Sequence, residues 1–329
     1  MAGRFLLGLL SLSVALGGAV PLKVLFYKDT CPGAELISRD VMEKHLRRDP
    51  TIAAGIIRMF FHDCFVRGCD GSVLLDTTGD TVAEKEAPPN LTLRGFEVID
   101  DIKAALERKC RGTVSCADVL AMAARDSVAL SGGAAYEVPT GRRDGVVSDA
   151  SEVHLPGPSF SILEAIKAFE GINLTVVDLV TLLGAHSIGL CHCGFFVDRL
   201  YSFQGTGMPD PSLDAGLLAA LRQRCPDSAA AAENISADPT VFMNQATSSP
   251  FTLDSSFYRG VLHNRAVLQL DQELAYADLS NSLAATFLTR PNLFIWSFSK
   301  SMIRLGNVGV LSGDQGEIRL NCRQVNGVA

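Results

Sequence analysis

The chain is poor in positive charge, in strand-like alternation and in tryptophan. Of its 329 residues, 29 are Lys or Arg against 36 Asp or Glu, a formal net charge of -7, and no basic cluster offsets that average. That balance argues against nonspecific binding to nucleic acid or to anionic membranes, both polyanions. After the first twenty residues no uncharged apolar run resembles a membrane span. There is no βαβ alternation, no internal repeat of fixed period and no Pro- or Ser-rich linker. What remains is a mainly α fold without a clean domain boundary. Disorder is excluded as well, because 47% of residues are hydrophobic and only 20% charged. The one tryptophan, Trp296, is expected in the core.

Cysteine, by contrast, is plentiful. Residues 1–19 read as a secretory signal peptide: Arg4 is the positive start, Phe5 to Leu16 the apolar centre, and Gly17-x-Ala19 a small-residue cleavage site. The alternative, a membrane anchor, has only the run from Phe5 to Val20 to use. Nine cysteines fit an oxidising compartment, eight forming four bridges and one left over. Sequence alone allows about a hundred pairings. Asn90, Asn173 and Asn234 head Asn-x-Ser/Thr sequons.

Helix signals recur. Asp49-Pro50 predicts a helix start, opening an apolar stretch to about Phe65. Ser115-x-x-Asp118, Ser161-x-x-Glu164 and Thr175-x-x-Asp178 read as capping boxes. Phe96, Ile99, Ile102 and Leu106 have helical spacing, and Pro291 divides two helices, Ser280 to Thr289 and Pro291 to Gly306. Short strands are expected at Val73 to Leu75 and Val308 to Leu311. The segment from Ser228 to Ser256 is the least regular.

Arg58 and His62 are four apart within the almost wholly apolar stretch Ile52 to Phe65, so both share one helix face, with Phe61 beside them. Ala54 and Gly55, one turn earlier, are small and are expected to leave open space there. A cation and a base on a buried face are costly unless something uses them. The plainer alternative is a satisfied core histidine and an arginine snorkelling to the surface.

Asp63 follows at the negative end of the helix dipole, which is unfavourable without a nearby cation. Asp63, Asp70 and the Ser72 hydroxyl, with loop carbonyls between them, could form the oxygen shell of a Ca2+ ion, and Cys64 and Cys69 could close the loop around it. The alternative is a surface loop of solvated acids. Further on, Gly184-Ala185-His186-Ser187-Ile188-Gly189 closes the helix capped by Thr175. Small residues there would let a large flat cofactor approach, although many core histidines have similar surroundings.

Arg58-Met59-Phe60-Phe61-His62-Asp63-Cys64-Phe65-Val66-x-Gly68-Cys69-Asp70 resembles the distal helix of the class III haem peroxidases, the secretory peroxidases of plants. The stretch from Asp178-Leu179-Val180 to His186-Ser187-Ile188-Gly189 resembles their proximal haem-ligand motif. The likeness runs from about Phe26 to Arg323, through Val114-Ser115-Cys116-Ala117-Asp118, Gly141-Arg142-Arg143-Asp144 and Asp271-Gln272-Glu273-Leu274. It implies a plant-type haem peroxidase fold over residues 20–329, with haem b between a distal and a proximal helical half. The implied activity is one-electron oxidation of small, phenolic donors by hydrogen peroxide, through a ferryl haem intermediate.

Carried over position by position, the resemblance makes His186 the iron ligand, Asp271 its hydrogen-bond acceptor, His62 the acid–base and Arg58 the charge stabiliser. Asn90 would orient His62, which requires it to be buried and bare of glycan. Phe61 would line the haem. Distal Ca2+ would be held by Asp63, Val66, Gly68, Asp70 and Ser72. Pro156, Phe160 and Phe195 would form the substrate rim. The implied bridges are Cys31–Cys110, Cys64–Cys69, Cys116–Cys322 and Cys193–Cys225, with Cys191 free and Cys191-His192-Cys193 no metal site. A monomer, secreted to the extracellular space or cell wall, is expected, with no nucleic-acid or membrane partner.

The chain departs from the family at a proximal Ca2+ site that would use Ser187, Thr247 and Asp254. Asn244 stands where the family has an acid, and the segment from Asn244 to Asp254 is two residues longer, which puts that site in question. Met243 stands where cytochrome c peroxidase has its radical-bearing tryptophan, which disfavours a protein electron donor. Two rivals stay open at this point: a haem-binding protein with weak or no turnover, and a haem-free, disulfide-stapled binding glycoprotein.

Overall fold

The computed structural model describes residues 20–327 apart from 80, 228–237 and 247–248. Residues 1–19, read above as a signal peptide, and the sequon at Asn234 lie outside the described residues, as does Thr247. Among the described residues there are twelve α-helices and only four very short strands, as the mainly α reading requires.

The first half is built on α1 (Ala34–Arg48), α2 (Ile52–Val66), α3 (Phe96–Lys109) and α4 (Cys116–Leu130). Helix α2 packs against α4, and α1 against α3 and α4. No side chain caps α2 at its start, and ten of its fifteen residues are buried. Burial of large apolar side chains, at about 1.5–3 kcal/mol each, therefore holds this helix in place. It begins two residues later than the Asp49-Pro50 signal, because Asp49 closes α1 and its carboxylate accepts from the Thr51 amide at 2.9 Å.

The second half contains α5 (Ile162–Gly171), α6 (Val176–Leu183), α7 (Val197–Tyr201), α8 (Ala215–Arg224), α9 (Ser256–Leu262), α10 (Gln269–Glu273), α11 (Asp278–Thr289) and α12 (Pro291–Leu305). Full capping boxes form at Ser161/Glu164 and Thr175/Asp178. At Ser115 only half a box forms. Its hydroxyl accepts from the Asp118 amide, but the Asp118 carboxylate turns to the Tyr27 hydroxyl at 2.7 Å and the Arg142 guanidinium at 2.7 Å.

The strands are not where the sequence placed them. β1 (Lys23–Val24) pairs antiparallel with β2 (Pro139–Thr140), and β3 (Leu190–His192) with β4 (Thr240–Phe242), which lies in the stretch read as irregular. Ser72–Leu74 is a 3-10 turn, and Leu311 makes only an isolated bridge to Arg143. Trp296 also corrects the sequence reading: it is 59% exposed, with the Lys300 ammonium over its ring at 5.6 Å. Phe294 and Phe298, two positions to either side, take the inward face of α12 instead. The structure carries four disulfides, Cys31–Cys110, Cys64–Cys69, Cys116–Cys322 and Cys193–Cys225, the pairing the resemblance implies.

Candidate active site

Helix α2 delivers Arg58 and His62 from one face, because its four-residue spacing returns them to the same side. His62 is buried, and its Nδ1 lies 2.5 Å from the Asn90 Oδ1. The Asn90 Nδ2 donates to the Glu84 carbonyl at 2.7 Å, which turns the amide oxygen towards the imidazole. Nδ1 therefore carries the proton, and Nε2 keeps its lone pair. Burial and the neighbouring Arg58 cation pull the His62 pKa down to about 3, so the ring is neutral at ordinary pH.

The short 3-10 turn Pro88–Asn90 serves both side chains, since Arg58 donates to the Pro89 carbonyl and to the Thr92 Oγ1, each at 2.8 Å. Burial brings Arg58 to about 10, still a cation. Thr92 is the hydroxyl residue of the sequon at Asn90. With Asn90 2% exposed, peptide mapping is expected to find it bare, and the exposed Asn173 glycosylated. A glycan on Asn90 would remove it from this arrangement.

The open space expected beside Gly55 is not there. A Cβ on Gly55 would meet the Arg94 carbonyl at 3.1 Å. Ala54 instead faces Gly189, where a Cβ would sit 2.9 Å from the alanine methyl, so the β3 segment runs close against α2. Phe61 stacks with Phe65 at 4.4 Å and lies 6.0 Å from the His62 ring.

His186 lies just beyond α6, in the 3-10 turn Gly184–Ser187. Its Nδ1 donates to the Asp271 carboxylate, at 2.8 and 3.0 Å to the two oxygens, and Asp271 is 1% exposed on α10. Its Nε2 has no partner among the described residues. The Phe257 ring stands edge-on to it at 6.1 Å. Cys191 is a buried free thiol whose pKa burial pushes far above the usual range. Native protein at pH 8 is expected to leave it unalkylated by iodoacetamide, with one thiol labelled only after unfolding. Labelling of the folded protein would show the site to be open.

A cluster of acids lies below α2. Asp63 accepts from the Gly71 amide at 3.0 Å and the Val73 amide at 3.3 Å, and Asp70 from the Ser72 amide at 3.0 Å. Glu84, which the sequence reading missed, joins them. Both its oxygens and the Ser72 Oγ are buried without a partner among the described residues. Burial, with Asp70 and Glu84 beside it, raises Asp63 well above the carboxylate range, and burial lifts Glu84 to about 8. Orphaned oxygens and crowded carboxylates are what a divalent cation satisfies. No motif flags Glu84, because only the folded chain brings it to the loop.

The remaining candidates are more scattered. Pro156 and Phe160 share one loop, and Phe160 packs on the main core, whereas Phe195 packs on a smaller cluster around Cys191, Phe196 and Val241. Cys193 is bridged to Cys225. Among the described residues no single helix is long and apolar enough to cross a membrane.

The family model described as "Peroxidase" matches residues 38–290. Peroxidase 57 of Arabidopsis thaliana is 46% identical over 305 residues, which cover 93% of each chain. Peroxidase 5 of Vitis vinifera is 46% identical over 312 residues, covering 93% of this chain and 92% of the other. Peroxidase 28 of Arabidopsis thaliana is 43% identical over 311 residues and 93% of each. Likeness of that depth along nearly the whole of each chain settles the family: the protein belongs to the class III plant peroxidases, enzymes that oxidise donor molecules at the expense of hydrogen peroxide.

Proposed function

We propose that this peroxidase holds haem b between His62 and His186, with the His186 Nε2 on the iron. The observation that carries the reading is the pair of imidazoles, each with Nδ1 fixed by an acceptor and Nε2 left without a partner among the described residues. Bound there, haem would supply the iron centre at which peroxide is reduced and donors are oxidised one electron at a time. Asp271 holds the His186 ring in place and makes it a stronger electron donor.

On the other side, the neutral His62 accepts the proton of incoming peroxide at Nε2 and returns it to the departing oxygen. Arg58 is the cation that stabilises negative charge as the O–O bond separates. Asn90 keeps His62 in the required tautomer. Asp63, Asp70 and Ser72, with the carbonyls of Val66 and Gly68, would hold Ca2+ on this distal side. Glu84 connects that cation site to Asn90 through its backbone carbonyl.

Small phenolic donors would approach by the rim of Pro156, Phe160 and Phe195. A secreted monomer of the extracellular space or cell wall agrees with four disulfides and with the N-terminal signal.

An absorption spectrum before and after one equivalent of peroxide tests the reading. A Soret band is expected that falls with peroxide and recovers on addition of a phenol. A band indifferent to peroxide would favour haem binding without turnover, and no band in haem-supplied protein would refute the reading.

A further inference from the structure

The two sides of the site treat their oxygen-rich loops differently. On the distal side three carboxylates crowd together, with oxygens that have no partner among the described residues. On the proximal side the corresponding side chains among the described residues take up hydrogen bonds from one another and from the backbone of their own segment. The Ser187 Oγ accepts from the Asp254 amide at 3.2 Å. The Asp254 Oδ1 accepts both from the Ser256 amide, at 2.8 Å, and from the Ser256 hydroxyl. That hydroxyl in turn accepts from the Asn244 Nδ2 at 2.7 Å, while the Asn244 Oδ1 is taken by the Ala246 amide at 2.9 Å.

We propose that a hydrogen-bonded chain, Ser187–Asp254–Ser256–Asn244, closes the proximal side in place of a second Ca2+, so that the enzyme carries one calcium, on the distal side. Asn244 is the deciding residue. An acid here would bring a second negative charge, whereas the amide presents N–H donors to Ser256, and a donor repels a cation. Asp254 is then the one carboxylate left of the set that the resemblance assigns to this site, against Asp63, Asp70 and Glu84 on the other side. Affinity for Ca2+ rises with the number of charged oxygen ligands, so the distal set outcompetes the proximal one.

The chain of hydrogen bonds also takes over the tethering a cation would do. Ser187 follows the iron-facing His186 directly, and Ser256 opens α9, whose Phe257 ring stands against that histidine. The loop that carries His186 is thereby tied to α9 by groups that a chelator does not remove.

The count of one rests on the distal reading above, and metal analysis separates the two. Haem-loaded protein, passed through gel filtration into calcium-free buffer, is assayed for calcium per haem by mass spectrometry. One is expected in the wild type and in Asp254→Ala, and none in Asp70→Ala. Two in the wild type would overturn the proximal closure while leaving the distal site standing. None in the wild type would overturn the distal reading on which the count rests. Should Asp70→Ala fail to fold, Asp254→Ala still decides: loss of its single calcium would place the ion on the proximal side and overturn the proposal.

Discussion

His62→Leu is expected to slow the reaction with hydrogen peroxide by about a thousandfold or more, the upper part of the range for a lost general acid–base. The side chain is buried on a helix held by apolar packing, so leucine keeps the volume and haem uptake is expected to be unchanged. Asn90→Leu leaves the imidazole in place and removes only its Nδ1 acceptor, so its rate is expected between the two. The measurement is the stopped-flow rate at which peroxide alters the Soret band. If His62→Leu stayed within tenfold of the wild type, the proton would be handled by another group, and the reading of Arg58 and Asn90 as its companions would fall with it.

Removing the Cys116–Cys322 bridge by paired alanines is expected to cost about 5 kcal/mol, the largest stability loss of any of the four bridges. The two cysteines are 206 residues apart, so the bridge closes most of the chain into one loop and removes the corresponding freedom from the unfolded state. The Cys64–Cys69 pair spans 5 residues, and the same relation gives about 2 kcal/mol. Whole-domain stabilities are about 5–15 kcal/mol, so loss of the long bridge is expected to leave the fold marginal. Denaturant unfolding of the two paired variants checks the order. Equal losses would mean that local contacts, rather than chain entropy, set the worth of these bridges.

Much of the site was legible where its logic is local. Arg58 and His62 needed only a four-residue spacing on an apolar helix, and Thr175/Asp178 announced the helix that ends before His186. Glu84 had no such signal, since a glutamate between Ala83 and Lys85 is unremarkable until the chain folds it against Asp63 and Asp70. Trp296, expected in the core, is instead exposed. The stripe that α12 buries runs through Phe294, Phe298, Met302 and Leu305, and Trp296 lies off it. The strands were missed because two or three residues are too few to display an alternating pattern.

By itself, the sequence determined where the capped helices α4, α5 and α6 begin, which face of α2 carries the chemistry and which family the motifs resemble, since caps and side-chain periodicity act within a few residues. Tertiary structure decided which partners complete each group. His186 meets Asp271 across 85 positions, His62 meets Asn90 across 28, and Ser187 meets Asp254 across 67. A hydrogen bond depends on atoms approaching within about 3 Å. Between residues so far apart in the chain, that approach is set by how the helices pack, and local spacing carries no record of it.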